Sequence, residues 1–557
     1  MILRLSVLAA VALFAARAQA PSSFPVTISI DASKPIGAMK PIWRMFGADE
    51  PNYATMKDGR KLLHEFGSLR PEDAYFRAHN LMTSGDGVPA LKWGSTGMYS
   101  EDRNGNPVYN WTIIDRIIDT YRAAKMHTYL ELGFMPEALS THPEPYQHEW
   151  RPGANYNAIA TGWSYPPKDY KKFGDLVYNW IKHCVERYGR DEVNRWYFEV
   201  WNEANISSYW HGTPEEWYKL HDYAVDGVRR ALPTARVGGP DVAGSGGKFM
   251  QNFLEHVTTG TNFATGQRGT PTDFLSFHAK GAPGFTDGHV RLGIAAQLRT
   301  TDAGFALIAA SPELKAKPIV IGEFDPDGCA ACQGPQLGYR NTTMYSSYVA
   351  DTYMRALQIA DRRGVNLDAA LTWAFEFEDQ PFFAGQRTLA NNGIDLPVMN
   401  VFRMFSRMSG ERVSATSSAE IPLDAIVRDG VRTAPDVGVT AALDGRKLTV
   451  FLWHYHDDDL PGPEAAIELS LSHLPAAAAE ARVTTYRIDA THSNAFTVWK
   501  GMGSPTAPND RQYAELLKAG QLATDATAPA TLAIQNGGAK LSHSLPRQGV
   551  SLLVIEW

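Results

Sequence analysis

The sequence of 557 residues lacks the features that mark membrane-spanning, dinucleotide-binding and nucleic-acid-binding proteins. After residue 20, no apolar run approaches the ~18 residues that a membrane-spanning helix requires. No Gly-x-Gly-x-x-Gly turn opens a helix, which argues against a doubly wound dinucleotide-binding sheet. The formal net charge of -7 disfavours binding to a nucleic-acid backbone. With 44% hydrophobic and 20% charged residues, the composition is typical of a globular protein with a large core.

Cysteine is scarce, and its three copies do not indicate a zinc centre. Cys329 and Cys332 flank two alanines, but a zinc site would need two further ligands at similar spacing, and none stands nearby. In an exported chain, such a pair is more typical of a local disulfide that staples a loop than of two free thiols. Cys184 lies in a helical stretch, where we expect a small core residue.

The first twenty residues have the pattern of a secretory signal peptide. Arg4 supplies a short basic start, residues 5–15 form an uncharged apolar run, and small residues follow. Cleavage after Ala18 is favoured over cleavage after Ala20, because a proline follows Ala20. The run is too short to span a membrane comfortably. The pattern therefore predicts a bacterial periplasmic or secreted protein that does not associate with a membrane once residues 1–20 are removed.

Between residues 36 and 410, strand-like apolar segments alternate with amphipathic helical segments. The segment 111–124 is the clearest helix, because its isoleucines and a tyrosine recur at helical spacing. Eight such strand–helix units predict an α/β fold, a (β/α)8 TIM barrel in which a long loop displaces the helix after the second strand. The eight predicted strands are centred near residues 44, 76, 130, 199, 237, 276, 320 and 371.

From residue 411 to residue 557 the pattern changes to an alternation of period two. Short strands between turn residues predict a C-terminal β-sandwich domain appended to the barrel. The segment 21–35 contains another alternating strand, at 26–31, that has no place in the barrel, and we expect it to join the C-terminal sheet. The predicted sandwich strands lie at 436–441, 447–454, 465–471, 482–488 and 550–557.

Functional groups of a TIM barrel lie at the carboxyl ends of its strands, so the strand assignment predicts the site residues. Glu203 follows the fourth strand and Glu323 ends the seventh, which places two carboxylates across one mouth. Hydrolysis of a glycosidic bond requires such a pair, one protonated and one ionised. If they lie about 5–5.5 Å apart, the ionised one can attack directly and the anomeric configuration is retained. The other notable strand-end residues are His79, Asn202, His278, Trp373, Glu376, Glu378 and Asp379.

Five sequence motifs give the barrel a resemblance to clan A glycoside hydrolases, and most closely to family 39. The two that are most specific in combination are Glu-Leu-Gly-Phe-Met-Pro at 131–136 and Trp-Asn-Glu-Ala-Asn at 201–205. A sandwich attached to the barrel, with an N-terminal strand, also matches that family. The other three motifs are Phe-Arg-Ala-His-Asn-Leu at 76–81, Tyr-Asn-Trp-Thr-Ile-Ile-Asp at 109–115 and Gly-Glu-Phe at 322–324.

The resemblance implies roles for the polar residues around the two carboxylates. Glu203 would be the general acid/base, Glu323 the nucleophile, and Asn202 would bind the sugar 2-hydroxyl. The alternatives are surface carboxylates for the two glutamates and a turn-capping amide for Asn202. Glu199, inside the fourth strand, is expected to form an internal ion pair with an arginine such as Arg77.

Three further residues receive roles from the same resemblance. His79 and His278 would hydrogen-bond the sugar or the nucleophile, although each could instead be a buried structural histidine. Trp373 would form the floor beneath the sugar ring, or else belong to the core. The three acidic residues that follow Trp373 depart from the family's usual pattern, and the sequence leaves open which of them reaches the sugar.

The resemblance as a whole implies a retaining exo-glycosidase, most like a bacterial β-xylosidase (a xylan 1,4-β-xylosidase) that removes xylose from the non-reducing ends of xylo-oligosaccharides. Its partner would be an oligosaccharide substrate. No metal and no organic cofactor are expected, because two carboxylates supply both the proton transfer and the covalent intermediate.

Other activities compete with this interpretation. The same reaction occurs in α-L-iduronidases, β-glucosidases or β-galactosidases and arabinosidases. An iduronidase would need cationic residues near the sugar carboxylate, for which the chain offers Lys280. A non-catalytic carbohydrate-binding barrel would lack one of the two carboxylates, and a metal-dependent hydrolase would need more clustered His and Asp on early strands.

Overall fold

A computed structural model describes residues 23–474 and 479–557, so the predicted signal peptide at 1–20 lies outside the described residues. Within these residues, eight parallel strands each pair with their neighbours in chain order, and a helix follows every strand. The cylinder closes where the Gly47 N–H donates to the Thr372 carbonyl and the Thr372 N–H donates to the Met45 carbonyl. The predicted (β/α)8 TIM barrel is therefore confirmed.

The elements of the barrel have the following bounds. Strands one to eight span Met45–Ala48, Ala74–Ala78, Met126–Leu132, Tyr197–Val200, Arg236–Val242, Phe274–Lys280, Pro318–Asp325 and Asn366–Ala370. The helices that follow them span Lys57–Leu69, Thr112–Ala123, Tyr170–Tyr188 (with a short helix at Arg190–Val193), Pro214–Ala231, Gly247–Thr259, Ile294–Ala309, Thr343–Arg363 and Met399–Phe405. Over residues 23–474 and 479–557, every helix is too short or too polar to cross a lipid bilayer.

Burial on both faces explains why apolar runs become barrel strands. All seven residues of strand three are buried, as are all four of strand four, which is the pattern of parallel strands covered by helices. The helix Thr112–Ala123 buries the isoleucine stripe that its spacing predicted. The helix Pro214–Ala231 begins with a proline and a capping box between Thr213 and Glu216, so its start is encoded locally.

The C-terminal domain is a mixed sheet of ten strands, in the described part of the chain, around its own hydrophobic core. The first of these strands, Phe24–Ala38, pairs antiparallel with Glu411–Ser417 and parallel with Ala465–Ser472. Two helices, Ala495–Gly501 and Asp510–Ala519, interrupt the strand pattern, and the period-two alternation did not predict them. The remaining strands span Asp436–Asp444, Lys447–Tyr455, Glu480–Ile488, Ala523–Thr524, Thr531–Ala533, Ala539–Leu545 and Val550–Glu556, and a further helix spans Leu423–Asp429.

The cysteines lie as the sequence predicted. Cys329 and Cys332 form a disulfide in the loop after strand seven, and Cys184 is buried in the helix Tyr170–Tyr188. The buried guanidinium of Arg340 donates to the carbonyls of Cys329 and Cys332, at 2.7 Å each. A covalent bond and a buried cation therefore both hold the loop that follows strand seven.

Arg355 joins the barrel to the C-terminal domain through a buried ionic cluster. From the helix Thr343–Arg363, its guanidinium donates to Asp436 at 2.8 and 2.9 Å, to Glu420 at 2.7 Å and to Asp351 at 3.1 Å. Burial and the neighbouring Asp436 raise the pKa of Asp351 well above its usual value, although Arg355 opposes the shift. The charge balance of this cluster therefore depends on the Arg355 guanidinium.

We expect Arg355→Met to lower the free energy of unfolding by about 3–5 kcal/mol, because it leaves Asp436 and its acidic neighbours buried without a cation. Urea unfolding at neutral pH measures the loss. Arg428→Met is the matched control: Arg428 is 70% exposed and pairs with Asp429 on the surface, so its loss should leave the unfolding free energy unchanged. A value for Arg355→Met within about 1 kcal/mol of the wild type would contradict this account.

Candidate active site

Glu203 and Glu323 lie together at the carboxyl end of the barrel. One carboxylate oxygen of each, together with one ring nitrogen of His278, lie within 4.8 Å of one another. The side chain of Glu323, in strand seven, is 8% exposed, whereas that of Glu203, just beyond strand four, is 15% exposed. The structure thus brings together the two carboxylates that the strand assignment selected, and Glu203 is the more open of the two.

The turn that presents Glu203 has an unusual backbone. Trp201 (φ 69°) and Glu203 (φ 44°) both adopt left-handed conformations, which cost energy for residues that carry a side chain. Two hydrogen bonds hold the turn in place. The Glu203 N–H donates to the Asp241 carbonyl at 2.9 Å, and the Trp201 indole N–H donates to the Tyr209 carbonyl at 3.0 Å. These contacts fix the direction in which the Glu203 carboxylate leaves strand four.

Arg77, in strand two, is a fully buried guanidinium that connects side chains of four other barrel strands. It lies 2.8 Å from Glu131 and 2.8 Å from Glu199, contacts Asp241, and is 3.6 Å from Glu323 Oε1. The predicted ion pair between Arg77 and Glu199 is therefore confirmed, as one part of a larger network. Burial and Asp241 raise the pKa of Glu199 to about 8 in spite of Arg77, so Glu199 takes up a proton more readily than an ordinary glutamate.

His278, near the end of strand six, lies between the two carboxylates. Its Nδ1 is 2.7 Å from Glu203 Oε1 and 3.8 Å from Glu323 Oε1, while its Nε2 is 2.8 Å from Asp241 Oδ2. Burial alone would lower the pKa of His278, but Asp241 and Glu323 raise it to about 10. The protonated ring donates from both nitrogens. His278 thus orients Glu203 directly and places a positive charge beside Glu323.

His79 lies beside Glu323, and Trp373 packs against His79. His79 Nδ1 lies 2.6 Å from Glu131 Oε2, and its Nε2 lies 3.5 Å from Glu323 Oε1. The rings of His79 and Trp373 pack at 4.3 Å between centroids, and the Trp373 indole N–H donates to Asp49 Oδ1 at 2.8 Å. His79 therefore borders the carboxylate of Glu323, Trp373 packs against His79, and Trp373 has an ionic partner that the sequence did not predict.

Asn202 is buried beside Glu203, and only the oxygen of its side-chain amide has a hydrogen-bond partner in the described part of the chain. Its Oδ1 accepts from Arg77 Nη2 at 3.1 Å, which fixes the orientation of the amide. Its Nδ2 has no hydrogen-bond partner among residues 23–474 and 479–557. A buried amide donor without a partner is costly unless a ligand accepts its hydrogen. The amide therefore offers a directed donor beside Arg77, one residue before Glu203.

Lys280, two residues beyond His278 in strand six, contacts Glu323 directly. Its Nζ lies 2.7 Å from Glu323 Oε2 and 2.6 Å from Asp325 Oδ2. Burial alone would raise the pKa of Glu323, but Lys280, His278 and His79 hold it well below its usual range. Glu323 is therefore ionised at neutral pH. The sequence interpretation considered Lys280 only for a sugar carboxylate, although its alternation with His278 places both side chains on one strand face.

Two acidic partners of the site were not selected from the sequence. Asp241, beyond the Gly-Gly-Pro turn in strand five, supports His278 and Arg77, and Glu131 in strand three supports His79 and Arg77. Each lies at or near the carboxyl end of its strand. The same strand-end position predicted Glu203, Glu323 and the two histidines, so it could also have indicated Asp241 and Glu131.

The acidic residues after strand eight have partners away from the two carboxylates. Glu378 Oε1 accepts from the backbone N–H groups of Asp58 (2.7 Å) and Gly59 (3.0 Å), in the first turn of the helix Lys57–Leu69. Glu376 Oε1 accepts from the Gly393 N–H at 3.1 Å, and burial raises its pKa well above the usual value. Glu378 thus stabilises the start of the helix after strand one, and Glu376 holds the segment around Gly393.

Glu203, His278 and Glu323 also have the spacing that a divalent metal ion could bridge. The surrounding charge disfavours it, because Lys280 and Arg77 already lie beside Glu323 and would repel a further cation. The donor set fits a pair of carboxylates poised for acid–base and nucleophilic chemistry better than it fits a metal centre.

Comparison with known proteins agrees with this geometry. The family model for glycosyl hydrolases family 39 matches residues 26–537. The chain belongs to glycosyl hydrolase family 39. This finding confirms the predicted family and makes the protein a glycoside hydrolase, whose substrate class is oligosaccharides or other glycosides.

Characterised members of family 39 include relatives with two different activities. The chain is 27% identical to a β-xylosidase of Geobacillus stearothermophilus, over 83% of this chain and 82% of that protein. It is 24% identical to an α-L-iduronidase of Mus musculus, over 90% of this chain and 77% of that protein. Its fold matches a monomeric β-xylosidase from Caulobacter crescentus CB15 with a TM-score of 0.73, at 22% identity and over 95% of this chain and 99% of that one.

Proposed function

We propose that this family 39 enzyme is a retaining exo-β-xylosidase in which Glu323 is the nucleophile and Glu203 the general acid/base. The observation that carries the proposal is the separation of the two carboxylates, whose nearest oxygens lie within 4.8 Å. Retaining glycosidases hold the pair at about 5–5.5 Å, whereas inverting enzymes leave about 6.5–9.5 Å for a water molecule.

The charges around the pair support this division of roles. Glu323 is flanked by Lys280, His278, His79 and Arg77, which keep it ionised and able to attack the anomeric carbon. In the first step the C1–Glu323 bond forms as the C1–O bond to the leaving group breaks. Glu203 gives its proton to that departing oxygen.

The second step uses the same two residues in reverse. Glu203, now ionised, takes a proton from water while the water oxygen attacks C1 and displaces Glu323. The greater exposure of Glu203 suits this task, because water must reach it once the leaving group has gone. The unpaired Nδ2 of Asn202 supplies a donor for the sugar 2-hydroxyl, a contact that strengthens as positive charge develops on the ring.

The choice of xylose rests on the β-xylosidase relatives and on the partners of Lys280. Its ammonium group is already shared by Glu323 and Asp325, so it has little capacity left for a sugar carboxylate. The second candidate is an α-L-iduronidase, which the iduronidase relatives and the position of Lys280 beside Glu323 favour. If the substrate carboxylate took the place of one of these acidic partners, Lys280 would serve that activity.

A panel of 4-nitrophenyl glycosides that differ only in the sugar tests the proposal. We expect the β-xyloside to be hydrolysed with the highest kcat/KM, and proton NMR to show β-xylose as the first product. Preference for an α-L-iduronide would replace the xylosidase by the second candidate. Inactivity on every glycoside, or release of α-xylose first, would overturn the mechanism.

Lys280→Met should shift the acidic limb of the kcat/KM profile upward by about 1–2 pH units. Because Lys280 helps to hold the pKa of Glu323 well below its usual range, its removal lets that pKa rise, and the nucleophile becomes protonated sooner as the pH falls. Profiles from pH 3 to 8 measure the shift. Lys315→Met, an exposed position at the opposite end of the barrel, should leave the limb unchanged. An unshifted limb in Lys280→Met would remove Lys280 from this role.

We also propose export to the periplasm or the medium by the predicted signal peptide. The disulfide between Cys329 and Cys332 supports this, since such bonds persist in oxidising compartments. Expression of the full chain in a bacterial host, with cell fractionation and N-terminal sequencing, tests it. A mature chain that begins at Gln19 in the periplasm or medium is expected, and an uncleaved cytoplasmic chain would contradict the proposal.

A further inference from the structure

A small cavity lies next to His79. The space open to a water-sized sphere is about 10 Å³, room for one small polar group, and its lining includes Asp49, His79, Lys92, Trp163 and Tyr209. His79 connects it to the reaction centre, because His79 Nε2 lies 3.5 Å from Glu323 Oε1. A sugar whose anomeric carbon lies at Glu323 would place a hydroxyl group from the far side of its ring in this space.

The inner wall of the cavity carries a buried ion pair. Lys92 Nζ donates to Asp49 Oδ2 at 2.5 Å, and the two side chains are only 4% and 5% exposed. The other oxygen of Asp49 accepts from the Trp373 indole at 2.8 Å. Lys92 and His79 hold the pKa of Asp49 below its usual value although burial opposes them, so the pair is fully charged at neutral pH.

Within the described residues, the protein does not use all the hydrogen-bond donors of Lys92 in this ion pair. An ammonium group has three N–H donors, and Asp49 is the one hydrogen-bond acceptor of Lys92 Nζ among residues 23–474 and 479–557. The ring of Tyr156, 5.3 Å from Nζ, provides a weaker contact. Burying two charges costs free energy. Apolar side chains in place of Lys92 and Asp49 would fill the wall without that cost, so stability alone does not explain the pair. Spare donors on a buried cation therefore indicate a polar ligand.

We propose that Lys92 and Asp49 bind the vicinal hydroxyl groups on C3 and C4 of the terminal sugar. Lys92 donates to one hydroxyl oxygen, while Asp49 accepts the hydrogen of the neighbouring hydroxyl. These groups lie across the pyranose ring from C1, and His79, which contacts Glu323, lines the same cavity as the pair. This inference rests on the proposed glycosidase reaction and identifies the residues that recognise the non-reducing end.

The arrangement also gives a physical reason for exo action. A sugar inside a longer chain carries a glycosidic bond in place of a free C4 hydroxyl. Such a unit would meet a closed wall, and it would leave the charges of Lys92 and Asp49 without their hydroxyl partners. The cost of unpaired buried charges therefore selects a terminal residue.

The test combines two variants with two substrates. In the wild type, replacing 4-nitrophenyl β-xyloside by its 4-deoxy analogue should lower kcat/KM on the order of 10²-fold, the scale of a lost hydrogen bond to a charged group. Lys92→Met and Asp49→Asn should lower kcat/KM for the parent xyloside similarly. In either variant the further loss on 4-deoxygenation should shrink to less than about 5-fold, because the partner is already missing.

Binding provides a second readout that does not depend on turnover. Xylose should inhibit the wild type competitively more strongly than 4-deoxyxylose does, and Lys92→Gln should abolish that difference. Lys57→Met is the control, since Lys57 is 84% exposed, and it should leave both substrates and both inhibitors unaffected. Circular dichroism and thermal unfolding establish that each variant is folded.

The outcomes separate this inference from the proposed function. If the wild type hydrolyses the xyloside but the variants lose parent and 4-deoxy activity by the same factor, the two residues only support the structure and the inference is overturned. If another aryl glycoside is the better substrate, the deoxy series of that sugar gives the same comparison. Inactivity of the wild type on all glycosides overturns the proposed function, and the inference with it.

Discussion

Glu323→Ala is expected to lower kcat/KM for an aryl β-xyloside on the order of 10⁵-fold, the scale seen when a covalent nucleophile is removed. The variant should remain folded. Lys280 keeps Asp325 as a partner at 2.6 Å, and Arg77 keeps Glu131 and Glu199 at 2.8 Å. The loss of kcat/KM would therefore result from the missing carboxylate and not from rearrangement of the neighbouring side chains.

Added azide provides the decisive readout for this variant. With the Glu323 carboxylate gone, azide can occupy the vacated space and attack C1 from the same side, while Glu203 still protonates the leaving group. The product should be the α-glycosyl azide, because one displacement inverts the β-configuration. Proton NMR identifies the anomer, and the rate should rise with azide concentration.

A control at the other end of the barrel removes a carboxylate without touching the site. Glu313 is exposed in the segment before strand seven, and Glu313→Gln should retain the wild-type kcat/KM. If Glu323→Ala kept a rate within tenfold of the wild type, or if azide gave only the β-product, Glu323 would not be the nucleophile.

The repeating strand–helix pattern made much of this architecture predictable from sequence. Buried parallel strands are continuous apolar runs, and the polar residue that follows such a run lies at the mouth of the barrel. Glu203 and Glu323 are separated by three strands along the chain, yet the closed cylinder brings their oxygens within 4.8 Å. Strand position alone was enough to select both of them.

The partners of these residues depend on information that the strand pattern does not contain. Whether Arg77 meets Glu131, Glu199 or Asp241 is decided by the relative register of four strands, and a parallel sheet leaves no local sign of register. The raised pKa of Glu199 follows from burial together with the charge of Asp241, so it too needs the three-dimensional structure.

Two helices of the C-terminal domain were missed for a different reason. Ala495–Gly501 and Asp510–Ala519 are short and bury one residue each, so they offer few apolar positions to a periodicity argument. Their start signals were present, because Asn494 and Asn509 each cap the following helix through the side-chain oxygen. The period-two alternation of the neighbouring segments is the stronger signal, and it obscures those two capping residues.

Glu203→Ala should separate substrates by their leaving groups. For a natural xylo-oligosaccharide, the departing alkoxide needs a proton, so losing the acid should cost about 10³–10⁴-fold in kcat/KM. A 2,4-dinitrophenyl xyloside leaves as a stable anion and should lose less than about tenfold in the same step. Plotting log kcat/KM against the pKa of a series of phenol leaving groups should give a steep negative slope for the variant and a shallow one for the wild type.

The same variant should be slow in its second step, because water then lacks a general base. The glycosyl-enzyme should accumulate with the dinitrophenyl substrate, and a burst of dinitrophenol should precede a slow steady state. Azide should accelerate that phase and yield the β-glycosyl azide, since it attacks an α-linked intermediate. The two variants would then give opposite anomers, a result that assigns both carboxylates at once.

His278 supplies an internal check on this assignment. Its Nδ1 lies 2.7 Å from Glu203 Oε1, so His278→Ala should disturb the direction of the acid without removing it. The leaving-group slope of His278→Ala should fall between those of the wild type and Glu203→Ala. If Glu203→Ala lost equal activity on the dinitrophenyl xyloside and on the oligosaccharide, Glu203 would not be the proton donor, and the more exposed of the two carboxylates would need another role.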